Sequence, residues 1–125
     1  MAIIRSYKDI VAWQKAHELV LITYRLTKKL PDSERFNLIS QMRKAVVSVA
    51  SNIVEGYARS TVKDSLHFYN IALASLAELG YQFLICKDLE YLEETEYEDA
   101  YSHCRLVGSL LFNWSKSQKQ NAGLK

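Results

Sequence analysis

Residues 41–56, QMRKAVVSVASNIVEG, decide the fold. On a helix advancing about 100° per residue, Ile39, Met42, Val46, Val49 and Ile53 fall on one seam. Phe36, Val47, Ala50 and Val54 form a second apolar strip beside it. Together the strips span roughly 200° of the circumference, wider than the stripe an ordinary surface helix buries. On the remaining face Gln41, Ser48, Asn52 and Glu55 line up in a polar row that Arg59 extends. A helix this apolar needs more than one neighbour. The segment therefore points to packing and self-association before it points to chemistry.

The same alternation of three- and four-residue steps recurs on both sides. Ser6-x-x-Asp9 has the form of a capping box, and a helix over 7–30 follows, ended by Pro31. Its apolar arc includes Trp13, Ala16, Leu19, Tyr24, Leu26 and Leu30. A second helix over 33–57 can be capped by Asp32 or Ser33, and Gly56 suits either a left-handed C-terminal position or the last turn. Ser60 or Thr61 opens a third helix over 61–89, apolar almost all round, with small residues such as Ala74, Ala77 and Gly80 between the large ones. The box Thr95-x-x-Glu98 opens a fourth over 96–115, whose seam is Tyr97, Ala100, Cys104, Val107, Leu111 and Trp114. Residues 116–125 read as a polar, fraying tail. Short connections favour antiparallel neighbours, so the expectation is an all-α, up-down-up-down four-helix bundle in one domain over 1–125. The second and third helices carry more apolar surface than one such core consumes. The excess predicts a homo-oligomer interface.

Composition narrows the classes. With only four Gly and one Pro in 125 residues, there is little punctuation for the turns of an all-β fold. A hydrophobic share of 49% argues against disorder, and a net charge of +2 does not by itself call for a polyanion. No apolar run approaches ~18 residues, and MAIIRSYKD lacks the parts of a secretory signal, so a cytoplasmic protein with no membrane span is expected. Cys86 and Cys104 fall at core-facing helical positions and read as buried small hydrophobes.

The sequence presents no catalytic, metal or cofactor arrangement, and the expectation is a non-enzyme. His17, His67 and His103 sit on separate helices, and the single Asp64-x-x-His67 falls short of the paired Glu-x-x-His motifs of a di-iron bundle. The glycines are scattered at 56, 80, 108 and 123, so no phosphate-cradling loop exists. Gln41, Arg43, Ser48, Asn52, Glu55 and Glu78 read as a structural polar network or a subunit interface. Glu78 lies between Ile71 and Ile85, where burial demands a partner, and Arg43 falls inside an apolar arc that suits an interface ion pair. Arg25, Lys28, Lys29, Arg35, Lys44, Arg59 and Lys63 are the candidate nucleic-acid contacts, the bland alternative being a solvated surface. Lys116, Lys119 and Lys125 lie in the tail, and an acidic stretch runs through Glu90, Glu93, Glu94, Glu96, Glu98 and Asp99.

The assembled pattern resembles the family named for the 23S rRNA intervening sequence protein. The resemblance rests on Trp13-Gln14-Lys15-Ala16, on Pro31-x-x-Glu34-Arg35-x-x-Leu38-x-x-Gln41-x-Arg43-Lys44-Ala45-x-x-Ser48, and on Asn52-Ile53-x-Glu55-Gly56. It continues through Phe68-x-x-Ile71-Ala72-x-x-Ser75-x-x-Glu78-Leu79 and Leu89-x-Tyr91-Leu92, spanning roughly Tyr7 to Trp114. It implies a four-helix bundle without enzymatic activity that assembles into a ring-like pentamer. Relatives include accessory variability determinants of diversity-generating retroelements, which implies RNA, a ribonucleoprotein or a reverse transcriptase as partner. Two functional expectations follow: an accessory protein that contacts RNA or a ribonucleoprotein, and a protein–protein scaffold for a partner enzyme that never touches nucleic acid.

Overall fold

The structure, a computed structural model, describes residues 3–124. Four long helices follow one another: α1 (Val11–Thr27), α2 (Ser40–Ala58), α3 (Val62–Asp88) and α4 (Glu94–Asn121). α2 packs mainly on α1 and α3, and α4 packs mainly on α3 and α1. Contacts between the start of one helix and the end of the next fix an antiparallel order. The Cys86 thiol lies 3.6 Å from Met42 Sδ, joining the end of α3 to the beginning of α2. Tyr69, near the start of α3, lies against Gly56 at the end of α2. This is the expected up-down-up-down bundle. Its interior holds the α2 seam of Met42, Val46, Val49 and Ile53, together with Leu19, Tyr69, Leu79, Phe83, Val107 and Leu111.

Gly56 owes its place to packing. It sits inside the last turn of α2 with no left-handed φ. A Cβ there would come within 2.4 Å of the Tyr69 ring, which is itself buried. Any larger residue forces that ring out of the core.

The helix ends differ from the sequence expectation in instructive ways. Ser6 and Asp9 do form a capping box, with Lys8 N–H donating to Ser6 Oγ (3.1 Å) and Ser6 N–H to Asp9 Oδ2 (3.2 Å). That box closes a 3-10 turn over Tyr7–Asp9 instead of opening α1. Ile10 then takes extended backbone and buries its side chain, so α1 starts at Val11. α1 ends at Thr27 and not at Leu30, which precedes Pro31 and is biased away from helical backbone. Neither Asp32 nor Ser33 caps α2. A 3-10 turn over Asp32–Glu34 leads into a π-helical turn over Arg35–Ile39, and α2 continues from Ser40. The widened turn keeps Leu38 in the core while Phe36 stands 90% exposed.

Thr61 caps α3 as expected, its Oγ1 accepting from Asp64 N–H at 3.2 Å. α4 begins at Glu94, because Glu93 and Glu96, not Thr95 and Glu98, form the capping box. Nor does the helix fray after 115: it continues to Asn121 and closes in a Schellman motif, with Gly123 at φ 73. Lys125, expected in that tail, lies outside the described residues.

Candidate functional site: two outer faces

Two clefts on the outside of the bundle bring exposed apolar side chains together, while others, such as Leu21, Leu106 and Phe112, stand outside both. The first is a cleft between α1 and α2 of about 680 Å3. Tyr24 of α1 forms one wall, Arg35 and Phe36 of the π turn close one end, and Arg43, Lys44 and Val47 of α2 form the other wall. Tyr24, Phe36, Lys44 and Val47 are exposed. The Arg35 guanidinium carbon lies 5.5 Å from the Phe36 ring centre, and that of Arg43 lies 4.7 Å from the Tyr24 ring. Among the described residues no carboxylate lines the cleft. Its nearest acidic neighbour in sequence, Glu34, is engaged elsewhere: Oε1 accepts from Asn37 Nδ2 at 3.2 Å and Oε2 from the Tyr91 hydroxyl at 3.0 Å. The Tyr91 phenol is raised above its ordinary value by this hydrogen bond to the carboxylate.

The second face is a groove of about 530 Å3 between α3 and α4. Tyr81 and Leu84 line one side, Tyr97 and Tyr101 the other, with Gly80 and Gly108 in its lining. A Cβ on Gly80 would touch the Tyr101 ring at 3.7 Å, and one on Gly108 would press Leu76 at 3.3 Å. Tyr81 is 64% and Tyr101 41% exposed. Among the described residues lining this groove, Arg105 is the only charged one. Cys104 lies in the same lining as a buried free thiol, its pKa pushed up to about 12 by burial.

The seven basic residues singled out in the sequence do not form one surface. Arg35 and Lys44 line the α1/α2 cleft. Lys28, the residue just past the end of α1, follows Tyr24 by four positions, and both Lys28 and Arg25 are exposed. Lys29 reaches across to α4 and pairs with Glu96, whose carboxyl is held below its ordinary value chiefly by that lysine. Arg59 and Lys63 sit at the opposite end of the bundle, around the α2–α3 turn. There Arg59 pairs with Glu55 at 2.9 Å and lies over the Phe68 ring at 4.3 Å.

The polar set divides as well. Ser48 Oγ meets Ser75 Oγ at 2.8 Å across α2 and α3, and Asn52 Nδ2 donates to Ser48 O (2.8 Å) and Oγ (3.0 Å). Gln41 Nε2 donates to Asn37 Oδ1 at 2.9 Å. Glu78 is exposed, so its position between Ile71 and Ile85 demands no buried partner. It accepts from Gln82 Nε2 at 3.2 Å. That stripe of α3 lies at the surface, since Ile71 is exposed and Ile85 only half-buried. Arg43 belongs to the cleft and not to this network. Within the chain its partners are the Tyr24 ring and Thr27 Oγ1, to which Nε donates at 3.0 Å, instead of a carboxylate.

Residue spacing alone assigns Tyr24 to the core arc of the first helix and does not single out Tyr81 or Tyr101. One signal for the cleft is present: Arg35 adjoins Phe36, and Lys28 follows Tyr24 by four residues. Chemically, the cleft offers cations beside open aromatic faces, whereas the groove offers apolar area with phenol hydroxyls. His17 stacks on Trp13 at 5.1 Å, His67 meets Phe68 edge-on at 5.3 Å, and His103 Nδ1 lies 2.9 Å from Asp99 O. Among the described residues no three His, Cys, Asp or Glu side chains converge.

The sequence profile described as 23S rRNA-intervening sequence protein matches residues 8–113. A solved structure from Bacteroides thetaiotaomicron, titled a protein of unknown function from the S23 ribosomal protein family, shares the fold with a TM-score of 0.78. It is 24% identical over 84% of this chain and 98% of its own. The comparison with curated proteins returns no match.

Proposed function

Because the chain belongs to the 23S rRNA-intervening sequence protein family, we propose that it is a non-enzymatic, homo-oligomeric accessory protein that contacts RNA through the α1/α2 cleft. One observation carries the reading: Arg35, Arg43 and Lys44 stand beside two exposed aromatic rings, and no described carboxylate lines the same cleft. Phosphates supply the countercharge that this lining lacks. Arg25 and Lys28 extend the basic surface along α1, whereas Lys29 is already paired with Glu96. The α3/α4 groove supports self-association, because covering Tyr81, Leu84 and Tyr101 is favourable and Arg105 is the only charged residue in the described lining. A ring of five is the subunit number that the family resemblance implies. No described helix is long and apolar enough to cross a membrane, and the working environment in this reading is the cytoplasm.

The exposed carboxylates Glu90, Glu93 and Glu94 at the α3–α4 turn favour a second reading, a scaffold that holds a partner enzyme such as a reverse transcriptase. Binding to a structured RNA at two salt concentrations separates the two. In the RNA reading, affinity falls with salt at a log–log slope of roughly −0.7 to −0.9 per phosphate contact. In the scaffold reading no RNA is retained even at low salt. Light scattering on the same sample reads the assembly: a multiple of the 14.4 kDa chain is expected, and a monomer at micromolar concentration contradicts it.

A further inference from the structure

The α1/α2 cleft carries more than countercharge. Phe36 is among the most exposed large apolar side chains of the bundle, lifted off it by the π turn over Arg35–Ile39. Leaving a phenylalanine in water forgoes the gain of its burial, so the ring is suited to a ligand that covers it. The covering group must also accept cations, since the Arg35 guanidinium lies over that ring and Arg43 over Tyr24. Two occupants meet the apolar requirement: another protein surface and a nucleobase. A second copy of the chain would bury Arg35 and Arg43 against whatever it presented, which is costly unless carboxylates arrive with it. A nucleotide brings the flat apolar face and the anion in one unit, with the phosphate next to the base. A duplex does not, because its base faces are covered by their own neighbours and its deep groove is closed to side chains.

We infer that the cleft binds single-stranded RNA, one unpaired base stacking on Phe36 while the flanking phosphates meet Arg35 and Lys44. This rests on the RNA reading above and specifies its ligand. Stacking of this kind is sequence-tolerant, because every base has a π face, and the cations beside the ring track the backbone. Arg43 is already held by Thr27 Oγ1 and the Tyr24 ring, so it shapes the wall and presents charge without needing to reorient.

The test is fluorescence anisotropy with a short, labelled, unstructured oligoribonucleotide and with a blunt-ended duplex of the same length, in parallel with light scattering. The full chain binds the single strand more tightly than the duplex. Phe36→Ala lowers single-strand affinity on the order of ten-fold and leaves the salt slope unchanged. Phe36→Trp restores the affinity. Lys44→Ala makes the slope shallower by about 0.7. Because Phe36 is 90% exposed, its removal leaves the core intact. If Phe36→Ala binds both RNAs like the unmodified chain, the inference falls while the RNA reading stands. If neither RNA binds at low salt, the RNA reading itself falls. If Phe36→Ala instead changes the mass and not the RNA affinity, the cleft is a contact between copies and the inference is overturned.

Discussion

The two outer faces of the bundle resemble each other in exposed aromatic rings and differ in what surrounds those rings. On the α1/α2 side Tyr24 and Phe36 stand among Arg35, Arg43 and Lys44. On the α3/α4 side Tyr81, Tyr97 and Tyr101 stand among leucine, alanine and glycine, with Arg105 the only charge among the described lining. Three cations with no carboxylate beside them make burial against an uncharged protein surface costly, whereas a mainly apolar lining with the single cation Arg105 favours it. The same excess of apolar area therefore suits two different partners, decided by a few flanking charges. On the proposed function, the cationic face meets RNA and the tyrosine face meets another copy of the chain.

Several substitutions break or sharpen that contrast. The largest effect is expected from Tyr81→Asp, which puts a carboxylate on the groove between α3 and α4. Assembly weakens on the order of a hundred-fold, as expected when an unpaired charge is forced into an apolar contact. Light scattering then reports the 14.4 kDa monomer, while affinity for a short RNA stays within about two-fold. Lys44→Glu should act on the other face alone, lowering RNA affinity on the order of ten-fold with no change in mass, read by anisotropy and scattering together.

A pH series bears on the core shared by both faces. Burial pushes the Cys86 thiol up to about 11 and the Cys104 thiol up to about 12, from an ordinary value of 9.0. Below pH 9.0 both thiols are protonated whether the chain is folded or unfolded, and their contribution is fully present. Above it the unfolded chain loses those protons first, so stability falls as pH rises towards 11 and 12. The melting temperature should hardly change with these thiols near neutral pH and drop progressively above about 9. Cys104→Ser and Cys86→Ser should flatten that alkaline limb. The smallest effect is a control. Glu90 holds a left-handed φ of 63 at the end of α3, where Tyr91 N–H reaches Cys86 O and Glu90 N–H reaches Lys87 O. Glu90→Gly relieves that conformation and should stabilise by up to about 1 kcal/mol in urea unfolding, touching neither mass nor RNA binding.

Much of the fold was legible because helical packing writes itself into residue spacing. The seam of Met42, Val46, Val49 and Ile53 is buried throughout. The details that escaped are those that spacing does not encode. One widened turn at Arg35–Ile39 leaves no periodic trace, yet it takes Phe36 out of the apolar strip it shares on paper with Val47 and Val54. The polar run after Ser115 gives no reason to continue a helix, whereas the left-handed Gly123 closes it cleanly after Asn121. An all-round apolar helix such as α3 does not announce which stripe faces inward, and so spacing left open whether Glu78 is buried or, as the structure has it, exposed. The basic residues were visible individually. Their separation into a cleft, an α4 ion pair and a remote end follows from topology, which brings Lys29 to Glu96 and carries Arg59 to the other end of the bundle.

The most direct test is photo-crosslinking of the unmodified chain to a single-stranded RNA carrying 4-thiouridine, with the adducts located by mass spectrometry. Adducts are expected on the segments containing Tyr24 and Phe36 and none on those containing Tyr81 and Tyr101. Adducts concentrated on the α3/α4 groove, with the α1/α2 cleft unlabelled, would contradict the division of the two faces between RNA and self-association.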